Sequence, residues 1–199
     1  WVKPAGASFD HLHKQLVAID EMGAENESVL PKAVLDPGIF NRWGPDFAVE
    51  HGLVLARNEG AVMTVGFGHR YPSVEVWSTS RADQPWRVDD NGIDAMSDLL
   101  HAAHVAVSDD VPANEEWHYR PIGTGVPVPW RIILKLRIST LAGFEGGTKI
   151  YVNTISPTTL TAMLLPKLFE ARAAGRIAPM DLGAECHIEP GVLRAGRID

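Results

Sequence analysis

The spacing of apolar residues changes character several times along the chain. Three short runs, Leu53–Arg57, Ala61–Phe67 and Val74–Thr79, have strand length and strand composition. Asn58-Glu59-Gly60 separates the first two and suits a hairpin. The period then lengthens. Ile93, Met96, Leu99, Leu100 and Ala103 recur at helical spacing, and Asp90 or Asn91 can cap a helix running to about Val107. Glu115–Arg120 and Trp130–Ile138 read as further strands. The stretch "PIGTGVPVP" between them is expected to be irregular, because proline lacks a backbone donor and glycine is costly to order. Lys149–Asn153 reads as another strand after a loop, "AGFEGG". Ser156 and Pro157 form an N-cap and first-turn pair for a helix to about Ala174, which Pro166 should kink or split.

The ends are less regular. Phe9–Ile19 reads as a strand of mixed alternation. Residues 20–50 look irregular apart from a short helix near Glu27–Leu35, and the tail 176–199 is expected to wrap the surface. Hairpin strands, a helix and then more strands predict an α+β fold with a mainly antiparallel sheet and flanking helices. Parallel βαβ units would need more alternating helices than the pattern offers.

Composition narrows the chemistry. The chain has 199 residues, 45% hydrophobic and 22% charged, enough to bury one substantial core. Its formal charge of −7 argues against a general nucleic-acid binder, yet leaves room for a small anion in a local pocket. The single cysteine, Cys186, cannot form an intrachain disulfide, which fits a cytoplasmic setting. No apolar run reaches the ~18 residues a membrane helix needs, so no membrane partner is expected.

The chemistry-bearing string is "GASFDHLHKQ", residues 6–15. On a strand, His11, His13 and Gln15 share one face, each roughly 6.5–7 Å from the next. A neutral imidazole is a good nucleophile toward phosphorus, and a phosphoramidate splits one hard transfer into two easier steps. A glutamine amide donates to a phosphate oxygen without acting as a base. Gly6 allows close backbone approach and Ser8 adds a hydroxyl donor. The plain alternative is a pair of surface histidines on an ordinary strand.

Gly6, Ser8, His11, His13 and Gln15 together match G-x-S-x-x-H-x-H-x-Q. This resembles the active-site strand of galactose-1-phosphate uridylyltransferases in the histidine-triad (HIT) superfamily, where proline commonly stands at the position of Leu12. The resemblance implies a HIT-like fold in which His13 is the nucleophile that takes up a uridylyl group. It further implies that Gln15 and Ser8 contact phosphates, that Gly6 lies against them, and that His11 helps hold a structural zinc whose other ligands lie outside this chain. Trp117-His118 in "EEWHYRP" and Trp130 in "PWRIILKLR" are similar to later strands of the family. Ile133 and Lys135 stand where many members carry two metal-binding histidines, leaving His118 alone there. "AGFEGG" resembles the family's sugar-binding loop and puts Phe144 and Glu145 near hexose hydroxyls.

In the family about half the chain precedes the histidine strand, whereas five residues precede Gly6 here. The expectation is the C-terminal portion of a longer or split protein. Residues 1–50 would close a first HIT-like half, 51–175 would form the second half, and 176–199 the tail. The implied partners are a UDP-sugar and a sugar phosphate, with a homodimer or a chain carrying the N-terminal half. Two other functions remain open: a dinucleoside polyphosphate phosphorylase or adenylyltransferase of the same superfamily, and a non-catalytic subunit.

Other residues read more plainly. His101 and His104 are expected on a solvated helix face, and Cys186-His187 at the surface. His69 in "GFGHRYP" reads as a loop cation, with phosphate binding as its alternative. Arg131, Lys135 and Arg137 alternate along one strand. They mark either an exposed edge guarded by charge or an electropositive wall.

Overall fold

The computed structural model describes Val17, residues 21–139 and residues 142–196. Six strands build one antiparallel sheet: β1 (Val54–Arg57), β2 (Ala61–Val65), β3 (Ser73–Ser78), β4 (Ala113–His118), β5 (Arg131–Leu136) and β6 (Asp181–Leu182). Their order is β4-β5-β3-β2-β1-β6. The helices are α1 (Ala24–Leu35), α2 (Ile39–Arg42), α3 (Pro45–Glu50), α4 (Asp90–Val107), α5 (Gly143–Thr148) and α6 (Pro157–Ala173). The α+β architecture with a mainly antiparallel sheet is therefore as the hydrophobic pattern predicts. No described helix is long and apolar enough to cross a membrane.

Local chemistry accounts for the framework. Asn58 closes the β1–β2 hairpin: its Oδ1 accepts from Gly60 N at 3.2 Å and Ala61 N at 2.9 Å, while its Nδ2 donates to Ala95 O on α4. The α4 cap is Asp89, one residue ahead of the predicted pair, and its carboxylate accepts from Gly92 N at 2.9 Å. Ser156 caps α6 as predicted. Pro166 does not split α6, which continues through it as one element. One sheet face carries Met63, Val65, Val74, Val76, Ile132 and Leu134. They pack under Met96 and Leu99 of α4 and Leu164 and Leu168 of α6. Each such side chain contributes about 1.5–3 kcal/mol of burial.

Three regions differ from the sequence pattern. "AGFEGG" does not form a loop leading to a strand at Lys149–Asn153; it opens α5. Glu145 accepts from Ala142 N at 3.0 Å across its first turn, and Lys149 ends it in the left-handed conformation, φ 61°. Ile150, Tyr151 and Val152 follow the helix as irregular chain, despite their β propensity, and no neighbouring strand offers them a ladder among the described residues. Within 36–50, α2 and α3 replace irregular chain. The tail does more than wrap: β6 pairs with β1, and the Asn41 amide exchanges two hydrogen bonds with the Leu193 backbone, at 2.8 and 3.0 Å. Leu193 joins Leu30, Ala33, Phe40, Trp77 and Val128 in a second core that ties α1 and α2 to the opposite sheet face. The predicted strand Phe9–Ile19 lies outside the described residues.

Candidate functional site

Strand alternation sends a second set of side chains from β3, β4 and β5 away from α4 and α6. Register lines them up in three rows: Trp77, Arg131 and His118; Glu75, Ile133 and Glu116; Ser73, Lys135 and Asn114. β5 lies between β3 and β4, so its basic face is an internal wall of the sheet. The edge reading of Arg131, Lys135 and Arg137 is excluded by this order.

The first cluster is His69, Glu75 and Arg131. Glu75 is buried in the middle of β3. His69 Nε2 lies 2.8 Å from Glu75 Oε1, and Arg131 Nη1 lies 3.6 Å from the same oxygen. Burial alone would raise the Glu75 carboxyl; the His69 hydrogen bond and then the Arg131 charge outweigh it and hold the carboxyl below its ordinary range. The imidazole fits over the strand because Gly66 has no side chain. A Cβ there would stand 2.7 Å from His69 Cδ2 and 3.2 Å from Glu75 Cγ. Arg131 also covers the Trp77 ring, 4.9 Å from its centroid.

The second cluster brings Glu25, from the first turn of α1, onto β4. Arg131 Nη2 donates to Glu25 Oε1 at 2.5 Å, and Lys135 Nζ to Glu116 Oε2 at 2.6 Å. His118 Nε2 is buried without a hydrogen-bond partner among the described residues, 3.6 Å from Glu116 Oε2 and 3.9 Å from Glu25 Oε2. Burial raises the Glu116 carboxyl, but His118 and Lys135 beside it outweigh burial and lower it to about 2. Ligand atoms of Glu25, Glu116 and His118 all lie within 4.8 Å of one another. Two carboxylate oxygens and an imidazole nitrogen suit a divalent ion in donor type. The fold thus adds Glu25, from α1, to the Glu116 that already stands two residues from His118 on β4. Both carboxylates already hold an internal cation.

The residues singled out in sequence fall unevenly. Gly6, Ser8, His11, His13 and Gln15 lie outside the described residues. Phe144 is exposed on α5, and Glu145 caps that helix; no hydrogen bond or ion pair joins Glu145 to either cluster among the described residues. His101 is exposed as expected, whereas His104 turns inward, with Nε2 2.7 Å from Glu115 Oε1. Burial and the nearby Asp181 and Glu185 push the Cys186 thiol up to about 12, so it is a poor thiolate ligand. Glu75 and Glu25 are the participants that periodicity missed, and His69, read as a loop cation, is tied to Glu75. A lone carboxylate inside the apolar run Val74-Glu75-Val76-Trp77 was the available signal.

The family model described as "Domain of unknown function (DUF4921)" matches residues 1–195. The chain belongs to that family. No curated protein matches it. Solved structures do. A GalT-like protein from Arabidopsis thaliana is 20% identical with a TM-score of 0.67, covering 80% of this chain and 56% of that one. An ADP-glucose phosphorylase from Arabidopsis thaliana, with bound ADP-glucose, is 18% identical with a TM-score of 0.61, covering 74% and 50%. A uridylyltransferase structure is 16% identical with a TM-score of 0.57, covering 74% and 50%. The chain spans about half the length of these structures. The likeness shows a GalT-like fold.

Proposed function

We propose that this family member is a nucleotidyltransferase that moves a uridylyl group between UDP-hexose and a hexose 1-phosphate through a covalent histidine. One coincidence carries the reading. The string G-x-S-x-x-H-x-H-x-Q implies that chemistry from sequence, and the described residues independently share the fold of uridylyltransferase-type structures. In the proposed cycle the His13 imidazole attacks the α-phosphorus of UDP-hexose. A P–N bond forms and the P–O bond to hexose 1-phosphate breaks, its electron pair leaving with the sugar phosphate. An oxygen of a second hexose 1-phosphate then attacks the same phosphorus and the P–N bond breaks. Gln15 and Ser8 donate to the transferring oxygens, each contributing about 2–4 kcal/mol where charge develops. Gly6 admits the phosphates, and Phe144 and Glu145 face the hexose. A structural zinc at His11, with ligands beyond this chain, and a partner copy or chain belong to the same reading.

A second reading keeps the histidine chemistry and changes the nucleotide. The resemblance of the fold to an ADP-glucose phosphorylase favours an adenylyl donor with inorganic phosphate as acceptor. The test is intact-mass analysis of the protein after incubation with UDP-glucose, ADP-glucose or diadenosine tetraphosphate. A uridylyl adduct mapped to His13 and absent from His13→Ala is expected. An adenylyl adduct selects the second reading, and no adduct from any donor refutes both.

A further inference from the structure

The second cluster, through Glu25, Glu116 and Lys135, lines a cleft of about 380 Å³. That size accommodates a small ligand. Its acidic lining residues are already answered: Glu25 holds Arg131, and Glu116 holds Lys135. Two of its cations are not. Arg70 and Arg137 line it, and neither makes an ion pair among the described residues. The chain has 25 acidic residues against 18 lysines and arginines, so acidic partners are plentiful. Two guanidinium groups left without one, at the same cavity, set up a local positive field in an acidic protein.

Both arginines are held in place by aromatic faces. Arg137 lies over Tyr71 at 4.6 Å and Arg70 over Tyr151 at 4.4 Å. Stacking fixes the plane of a guanidinium and leaves its N–H edge free for an acceptor. Arg137 spends Nη1 on the neutral Asn114 Oδ1 at 3.0 Å, and its Nε is buried with no hydrogen-bond partner among the described residues. An unsatisfied buried donor on a permanently charged group costs stability unless a ligand meets it.

We propose that Arg137 and Arg70 form a subsite for a phosphate dianion. Oxygens in more than one plane match two guanidinium edges anchored on separate rings. The subsite deepens the transfer reading, and rests on it only for the ligand's source: the acceptor sugar phosphate, or inorganic phosphate. Asn114 orients Arg137, and Lys135, turned toward Glu116, adds to the field without contacting the anion.

The experiment is calorimetric titration of the protein at neutral pH and low ionic strength, with inorganic phosphate and separately with glucose 1-phosphate. Saturable binding is expected for phosphate. Arg137→Gln should weaken it about tenfold and Arg70→Gln about threefold. Arg137→Lys, which keeps the charge and loses the fork, should recover part of the loss. Arg176→Gln, at an exposed arginine outside this cleft, should change nothing. Tighter binding of glucose 1-phosphate supports the subsite with a sugar-phosphate source; equal binding supports it with inorganic phosphate. Arg70 is exposed, so Arg70→Gln keeps the test valid if the Arg137 variants fold poorly. Absence of saturable binding to the wild type, or equal binding by wild type, Arg70→Gln and Arg137→Gln, overturns the proposal. Phosphate binding without a covalent adduct refutes the transfer reading alone; an adduct without phosphate saturation refutes the subsite alone.

Discussion

Removing the His69 side chain tests whether the second sheet face is organised by charge. His69→Ala deletes the 2.8 Å contact to Glu75 and leaves that carboxylate buried in β3. Leaving a buried carboxylate without one of its hydrogen-bond partners costs about 3 kcal/mol. Arg131 remains 3.6 Å away and offsets part of this, so the net loss should be about 2 kcal/mol. The loss is separable from packing by a double-mutant cycle with Glu75→Gln, which keeps shape and removes charge. Chemical denaturation of the four proteins at neutral pH should give a coupling energy of about 1–2 kcal/mol.

The pH dependence gives an independent check on sign. The folded-state carboxyl of Glu75 is depressed, so it binds fewer protons than its unfolded counterpart, whose ordinary value is 4.5. Its stabilisation is full above that value and is lost as pH falls below it. His69→Ala removes the leading cause of the depression. The stability gap between wild type and variant should therefore be widest near neutrality and narrow on acidification through the carboxylate range. A coupling energy within about 0.3 kcal/mol of zero, or a gap that ignores pH, would refute the argument.

Other positions give sharper local tests. Gly66→Ala puts a Cβ 2.7 Å from His69 Cδ2 and should displace the ring, costing about 1–3 kcal/mol in a denaturant melt. Lys135→Met should let the Glu116 carboxyl climb from about 2 toward 4.5, readable by side-chain NMR titration. Glu116 is 39% exposed, so solvent screening limits the accompanying stability loss to about 1 kcal/mol. Asp89→Ala removes the α4 cap and should cost about 1 kcal/mol in thermal or urea unfolding, with β-sheet signals unchanged in the native state.

The elements legible in sequence are those whose signal is local. Hydrophobic spacing gives α4, the Asn58 side chain gives the β1–β2 hairpin, and Ser156-Pro157 gives the start of α6. The alternation of Arg131 and Lys135 shows a charged face, but only the strand order shows that it is internal. Glu25 meets Arg131 across 106 residues, and Leu193 meets Asn41 across 152. Neither partner carries a local signature, because each pairing is set by how α1 and the tail lie on the second face. His69 escaped for a related reason: its carboxylate partner stands on a strand that otherwise reads as wholly apolar. After α5 the reverse happened: Ile150, Tyr151 and Val152 have strand composition, yet they meet no strand partner among the described residues.

Ile133 explains why these charges form two clusters rather than one. It is buried between Glu75 on β3 and Glu116 on β4, so the two carboxylates sit two strand spacings apart, roughly 10 Å. At that separation, across an apolar side chain, neither acid can share the other's cation at contact distance. Glu75 and Glu116 are therefore answered by different cations of β5. Arg131 reaches both Glu75 and Glu25 from the next row, and Lys135 answers Glu116 from the row beyond. That use of β5 consumes its first two cationic side chains internally. Arg137, one alternation further along, makes no ion pair among the described residues. The position at which charge becomes available to a ligand therefore follows from the apolar residue at 133 and the register of β5.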